Sequence, residues 1–228
     1  HELFEAKSMP YLTSLDMSAC KLDDDAVERL VHAENFGELV ELSLWDNYLT
    51  RDAVASLSEA PRTQNLHLLD LGRNPLGPRG LEAMGHRELR TLRLDQTRLG
   101  DEGAAWLASS GLRRLEELNL WKSNIGDAGV AALAASSSLR SVRGLNLGRN
   151  NIGDAGAIAL AKSDTFLDLR ELNLFGNRIT DAGALALASS PNLARLDTFY
   201  IHDNQLTARG EVALANSAHL PEHVRAQW

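Results

Sequence analysis

Two histidines and a glutamate near the C-terminal end have a spacing that zinc hydrolases use. Residues 219–223 read His-Leu-Pro-Glu-His, which matches the pattern HxxEH. Zinc catalysis needs both imidazoles on one face of a helix and a third ligand nearby. Pro221 separates the two histidines, and a repeat core, described below, requires Leu220. A zinc hydrolase built on His219, Glu222 and His223 is therefore the least favoured of three functions, and we predict no metal site.

Other reactive side chains also fail to form a catalytic pattern. His202 lies beside Asp203 and could support acid–base chemistry. We predict no buried pocket that would shift the pKa of either group, so a solvated or partner-contacting role is expected. Cys20 is predicted to be buried rather than nucleophilic. Neither a GxxxxGK[ST] nor a GxGxxG loop is present. The sequence thus predicts a protein that is not an enzyme and needs no cofactor.

Composition narrows the class of partner. The 228 residues carry 31 acidic and 23 basic side chains, a net charge of −8, which disfavours nucleic acid. A single cysteine excludes an internal disulfide. No run of 18 apolar residues predicts membrane insertion, and residues 1–7 do not resemble a signal peptide. These negatives favour a cytoplasmic location and a protein or peptide partner.

A repeat must position any functional side chains. The pattern LxxLxLxxNxL recurs eight times, with units of 27, 27, 23, 26, 27, 27 and 27 residues between successive starts. The alternating apolar residues at its fourth and sixth positions predict a strand with one buried face. Strands separated by a whole unit must be parallel, with a crossover between them. The eight units start at Leu12, Leu39, Leu66, Leu89, Leu115, Val142, Leu169 and Leu196.

The ninth position of the unit is polar although its neighbours are apolar. An amide or hydroxyl there is expected to satisfy backbone groups where the chain leaves the strand, so we interpret this column as structural. The column reads Cys20, Asn47, Asn74, Thr97, Ser123, Asn150, Asn177 and Asn204.

The second half of each unit has a helical pattern. Three copies begin GDAG or TDAG, and Asp127, Asp154 and Asp181 are expected to cap their own helices. A column of small residues follows, which would let the helix approach the sheet. This column reads Ala26, Ala53, Gly80, Gly103, Gly129, Gly156, Gly183 and Gly210. The helical anchors are Leu30, Leu57, Met84, Leu107, Leu133, Leu160, Leu187 and Leu214. Apolar residues that close the units include Phe36, Leu139, Phe166, Leu193 and Leu220, with Thr63 as the exception.

These columns resemble the leucine-rich repeats of the ribonuclease-inhibitor-like class, and the GDAGAxALA motif is similar to that of bacterial members of the class. The match covers residues 12–220. The resemblance implies an α/β solenoid, a curved horseshoe arc with a parallel β-sheet on the concave face and α-helices on the convex face. It implies little about activity, because this fold serves many partners.

We predict a single domain over residues 1–228. Residues 1–11 are expected to be the back half of a truncated repeat, with Leu3 and Met9 at its helical and closing positions. Residues 221–228 form a C-terminal tail, in which Pro221 would stop a last helix. The third unit is short, and Gly85 predicts that its helix ends early.

Aromatic and charged side chains occur at positions that do not contribute to the predicted core of the repeat. On the concave face Trp45 and Trp121 are expected roughly 15 Å apart, and Trp121 and Phe175 roughly 10 Å apart. Alternatively, each indole covers the glycine that follows it in the column, Gly72 or Gly148. The predicted partner-binding residues are Trp45, Asp46, Arg73, Arg93, Trp121, Lys122, Arg149, Phe175, Tyr200, His202 and Asp203.

The leading hypothesis is a non-enzymatic protein–protein interaction module that binds a macromolecule on its concave face. The alternative is a sensor or regulatory arm of a larger signalling protein or enzyme whose catalytic part lies upstream of His1. The arginine clusters at residues 90–93 and 143–149 could each hold an acidic group.

Overall fold

Eight short strands form one open parallel sheet whose strand order follows the chain, in a computed structural model that describes residues 11–33, 37–85 and 88–228. Neighbouring strands pair in one register, so that Leu15, Leu42 and Leu69 lie side by side. This confirms the predicted phase of the repeat. The strands are β1 Ser14–Asp16, β2 Glu41–Ser43, β3 Leu68–Asp70, β4 Thr91–Arg93, β5 Glu117–Asn119, β6 Gly144–Asn146, β7 Glu171–Asn173 and β8 Thr198–Tyr200.

Helices supply most of the crossovers, because a parallel pair requires the chain to return to the same end of the sheet. Seven of them follow strands, and α8 lies in the C-terminal tail. Short 3₁₀ turns follow two helices, at Pro61–Thr63 and Pro191–Leu193. The helices are α1 Asp24–His32, α2 Arg51–Glu59, α3 Gly100–Ser109, α4 Asp127–Ala134, α5 Asp154–Ala161, α6 Asp181–Ala188, α7 Ala208–Ala215 and α8 Glu222–Arg225.

The third crossover corrects the prediction of a shortened helix. Its described part, up to residue 85, contains turns in place of an α-helix. The Gly80 N–H donates to the Gly77 carbonyl at 3.1 Å, and the Met84 N–H donates to the Leu81 carbonyl at 2.8 Å. Both bonds span three residues, and the unit is four residues shorter than most. A tighter turn still buries Leu81 and Met84.

One continuous hydrophobic core runs between the sheet and the crossovers. The predicted helical anchors are all buried, and Phe199 and Ile201 fill the strand positions of the last unit. Leu15 in β1 and Met17 just after it, at the edge of the described sheet, are only half-buried. The closing residue Thr63 is buried as well, and its hydroxyl donates to the Ala60 carbonyl at 2.9 Å. Phe36, Leu3 and Met9 lie outside the described residues.

The ninth-position side chains form a ladder that joins one repeat to the next. The amide nitrogen of Asn150 donates to the carbonyls of Leu120 and Leu147, both at 2.9 Å. Its amide oxygen accepts the backbone N–H groups of Ser123 and Ile125, both at 3.0 Å. These bonds pair backbone groups that would otherwise be buried without partners. Asn47, Asn74, Asn177 and Asn204 make equivalent bonds, which confirms the structural role of the column.

Cys20 is the exception in this column. The thiol is exposed, contrary to the prediction that it would be buried. Its sulfur lies 3.4 Å from the Ser18 carbonyl, and β1 has a described neighbour on one side only. Side chains of this column are buried where repeats cover them on both sides, from Asn47 to Asn177, whereas Asn204 in the last unit is half-buried.

The helix-starting aspartates form a second ladder, and here the prediction was wrong. Asp154 does not cap its own helix, for which Gly153 is the N-cap. Its carboxylate instead accepts the backbone N–H groups of Thr180 and Gly183, at 2.8 and 2.9 Å, at the start of the next helix. Asp127 and Asp181 make the corresponding bonds to the helices that follow them. Each carboxylate therefore caps the helix of the following repeat.

This ladder also accounts for three glycines in the column of small residues. At Gly156 a Cβ would lie 2.7 Å from Oδ1 of Asp127 and 2.8 Å from Cγ2 of Ile152. Gly129 and Gly183 are crowded in the same way by Asp101 and Asp154. At these three glycines a side chain would meet both the carboxylate of the preceding repeat and the isoleucine four residues earlier in the chain.

The C-terminal tail is more ordered than predicted. Pro221 does not merely stop a helix, because it precedes α8 and is its N-cap. Val224 in α8 is fully buried, and Trp228 packs against the core. The tail therefore covers the apolar end of the last repeat, as terminal units of solenoids must. Among the described residues, no helix is long and apolar enough to cross a membrane.

Candidate functional site

The predicted aromatic residues lie along one edge of the concave face. Trp45, Trp121 and Phe175 each follow their strand by two residues, so they are on the same face as the exposed third and fifth positions of the repeat. Tyr200 is itself at the fifth position, as the last residue of β8. Trp45, Trp121 and Phe175 are half-buried, whereas Tyr200 is 50 % exposed. None of them belongs to the buried core.

Trp121 and Phe175 form a stacked pair. Their ring centroids are 6.1 Å apart, and the ring planes differ by only 7°. The expected separation was roughly 10 Å for two repeats. It is shorter because Gly148, in the repeat between them, has no side chain, and a Cβ there would lie 2.6 Å from Cε3 of Trp121. The Arg149 guanidinium lies over both rings, 5.6 Å from that of Trp121 and 5.5 Å from that of Phe175.

Trp45 has a similar environment three repeats nearer the N-terminal end of the sheet than Trp121. Its ring covers Gly72, where a Cβ would lie 2.7 Å from Cδ1 of the indole. Arg73 stacks over the indole at 4.9 Å, and the indole N–H points to the Asp95 carboxylate at 3.5 Å. Both tryptophans thus cover a glycine, as the alternative interpretation expected, while part of each ring remains accessible.

The charged residues that follow the aromatic positions share an unusual backbone conformation. Asp46, Arg73, Lys122, Arg149 and Asp203 have φ angles of 56°, 54°, 52°, 52° and 59°. A non-glycine residue in this left-handed region costs about 1–2 kcal/mol. At Asp46, Arg73, Lys122 and Arg149 the turn is maintained because the backbone N–H donates to a carbonyl in the next repeat. The charged side chains are exposed, and sequence reasoning missed the turn that presents them.

A groove of about 450 Å³ extends over β4 to β8 on the concave face. Its floor contains Asn119, Asn146 and Asn173, whose side-chain oxygens accept the N–H groups two residues further on, at 3.0, 3.1 and 2.9 Å. Arg93 and Tyr200 also line it. Among the predicted residues, only Arg93 and Tyr200 line this groove. The asparagines were not among the predicted site residues.

Two glutamates give the groove an acidic middle. Glu117 and Glu171 lie on either side of Gly144, and the Glu117 carboxylate reaches across the glycine into the space that a Cβ would occupy. Partial burial raises the pKa of Glu117, and the neighbouring Glu171 and Glu116 raise it further. A cationic group placed between the glutamates would relieve their repulsion.

Asp70 provides a buried negative charge beside Arg93. Asp70 is only 6 % exposed. Its carboxylate accepts the Gly72 N–H at 3.0 Å and lies 3.5 Å from the Arg93 guanidinium. Burial raises the pKa of Asp70, although Gly72 and Arg93 act against this and Asp95 acts with it. Asp70 thereby helps to orient Arg93 at one side of the groove.

The remaining predicted residues lie at the C-terminal end of the sheet. His202 stacks on Trp228 with centroids 4.4 Å apart, so the tail partly occupies its face. Asp203 is exposed in the following turn. Among the predicted residues, Arg73 contacts Trp45, Arg149 contacts the Trp121–Phe175 stack, and Arg93 and Tyr200 line the groove.

The HxxEH residues do not share a helix. His219 precedes Pro221, whereas Glu222 and His223 lie in α8, and a ring nitrogen of His223 is 3.1 Å from the Asp197 carbonyl. In the part of the chain that the structure describes, no three histidine, cysteine or acidic side chains are grouped as a metal site.

Comparison with known proteins identifies the repeat. The family model described as Leucine Rich repeat matches residues 8–31, 63–85, 112–134, 138–161 and 168–188, together just over half of the chain. No curated protein matches the sequence significantly.

Solved structures show similar folds. A chain of the octameric complex of Latrophilin 3, Unc5D and FLRT2 (LRR) has a TM-score of 0.53 and 22% identity. The alignment covers 80% of this chain and 52% of that one. A chain of the PEPR1–AtPEP1 crystal structure has a TM-score of 0.49 and 18% identity, with 85% and 25% covered. The chain thus spans about half of the first and a quarter of the second. With the repeat register and the family match together, the chain belongs to the leucine-rich repeat family.

Proposed function

We propose that the concave face binds a protein or peptide partner and that the chain catalyses no reaction. The observation that carries the proposal is the groove over β4 to β8, with exposed Tyr200 at one end. The half-buried Trp121–Phe175 stack lies at its edge under Arg149. Aromatic rings and arginine that are partly desolvated are typical centres of binding energy. Leucine-rich repeats are typical protein-interaction domains.

The groove favours an extended peptide with a basic side chain. Its five strands, about 4.8 Å apart, span about 19 Å, which is the length of about six extended residues. Amide side chains on the floor offer further hydrogen bonds to a peptide backbone. A lysine or arginine of the partner would lie between Glu117 and Glu171, where it would offset their mutual repulsion.

A photo-crosslinking residue tests where the partner binds. It is placed at Asn146 on the groove floor and, as a control, at Ala131 on the exposed side of α4. The expected result is a crosslinked partner from position 146 alone. Equal crosslinking from position 131, or none from position 146, would refute concave-face binding.

The crosslinked partner then permits an affinity test. Tyr200→Ala is expected to weaken binding at least tenfold, about 1.4 kcal/mol or more. Tyr48→Ala is the matched control, because Tyr48 is 62 % exposed and does not line the groove. It should change affinity less than twofold. Tyr200→Ala binding as tightly as the unmodified chain would contradict the proposal.

A second candidate is a recognition arm within a larger protein. The chain spans 52% of the first solved chain that it matches. The complete reading frame tests this, and a catalytic domain upstream of His1 is the expected finding. We also propose the ribonuclease-inhibitor-like, bacterial-type class, supported by helices such as α5 on the convex side.

A further inference from the structure

Five arginines line a second pocket, at the opposite end of the strands from the aromatic row. It has a volume of about 380 Å³ and lies where the chain enters β4, β5 and β6. All five guanidinium-bearing residues are exposed. They are Arg90, Arg113, Arg114, Arg140 and Arg143.

The acidic residues in this pocket are already paired. Glu116 lies 2.7 Å from Arg90, and Asp168 pairs with Arg195, which is outside the lining. Arg114 pairs with Glu88.

Three arginines are left without a carboxylate. Arg113, Arg140 and Arg143 make no ion pair with any residue that the structure describes. The pocket therefore concentrates three uncompensated positive charges on a chain whose net charge is −8. Like charges held close together repel, and an anion between them would remove the repulsion.

We propose that this pocket binds an acidic polypeptide segment with two or three carboxylates. Guanidinium groups bind carboxylates through paired, charge-assisted hydrogen bonds, and three carboxylates would balance the three free arginines. Nucleic acid fits less well. The described lining residues include no aromatic ring on which a base could stack, and the net charge of −8 opposes a long polyanion.

The proposal is independent of the concave groove. The arginines precede the strands, whereas the aromatic row follows them, and the two linings share no residue. An acidic segment of the same partner or of another protein would satisfy the chemistry. A negative result for binding at one site therefore does not refute the proposal for the other.

Fluorescence anisotropy with a labelled peptide tests the pocket. The probe carries three consecutive glutamates flanked by glycine and serine. The variant Arg113→Gln/Arg140→Gln/Arg143→Gln is expected to bind it at least tenfold more weakly than the unmodified chain. The control Arg98→Gln/Arg178→Gln/Arg209→Gln removes the same charge from exposed positions at the other end of the strands, and should stay within twofold.

Three outcomes would overturn the proposal. They are no binding by the unmodified chain, equal weakening in both triple variants, and tighter binding of a single-stranded oligonucleotide of equal charge through the same arginines. If the triple variant does not fold, the affinities of Arg140→Lys and Arg140→Gln for the same peptide test the proposal instead. Lysine should retain most of the affinity and glutamine should lose several-fold, and equal affinities for the two would contradict the assignment.

Discussion

Replacing Asn150 by alanine removes one rung of the asparagine ladder. The side chain is 7 % exposed and makes four hydrogen bonds of 2.9–3.0 Å. Two go to the carbonyls of Leu120 and Leu147, and two come from the N–H groups of Ser123 and Ile125. Alanine can make none of them, so all four backbone groups lose this partner at once.

The structure sets the size of the effect. A buried polar group without a partner costs about 1–3 kcal/mol, and the two N–H groups have a single acceptor each in the Asn150 oxygen. Carbonyls tolerate the loss better, because each has two lone pairs. We therefore expect Asn150→Ala to lower the free energy of unfolding by about 3–5 kcal/mol, a large part of the ~5–15 kcal/mol of an ordinary domain.

Urea denaturation followed by circular dichroism measures this loss. Asn151→Ala is the matched control, because Asn151 is the adjacent residue and is exposed. It should change the free energy of unfolding by less than about 0.5 kcal/mol. A loss below about 1 kcal/mol for Asn150→Ala, or similar losses for both variants, would show that the asparagine ladder does not stabilise the solenoid.

Two further predictions concern the aspartate ladder. Partial burial raises the pKa of Asp154, but hydrogen bonds from Thr180 and Gly183 outweigh it and lower the pKa overall. This contribution to stability is present above the unfolded pKa of about 3.9 and is lost as pH falls through the lower folded value. The urea midpoint of Asp154→Asn should therefore fall less steeply with acid than that of the unmodified chain. Identical pH profiles for the two would contradict this. In thermal melts, Gly156→Ala should destabilise the protein by about 1–2 kcal/mol, because a Cβ there lies 2.7 Å from Oδ1 of Asp127 and this crowding outweighs the better helix propensity of alanine. The control Gly85→Ala should be neutral, because a Cβ at that position has its nearest neighbour, Cβ of Ser58, at 3.9 Å.

The repeating pattern of the sequence was sufficient to predict the sheet. Leucines at alternate positions define the buried face of each strand, and their recurrence requires parallel pairing, as Leu42 and Leu69 show. The role of Asn150 was also predictable, because a polar residue in an apolar column must satisfy backbone groups. The third crossover was not, because the pattern of buried residues there fits a turn as well as a helix.

The sites depended on how the repeats stack. Asp154 caps a helix that starts 27 residues later, and Trp121 approaches Phe175 across a glycine from another repeat. The pairing of Glu116 with Arg90, which leaves other arginines free, likewise joins residues 26 positions apart. Periodicity assigns each residue a column and a face, which is a local property. The contacts between side chains of different repeats depend on the spacing and tilt of neighbouring repeats. Only the tertiary structure determines these contacts.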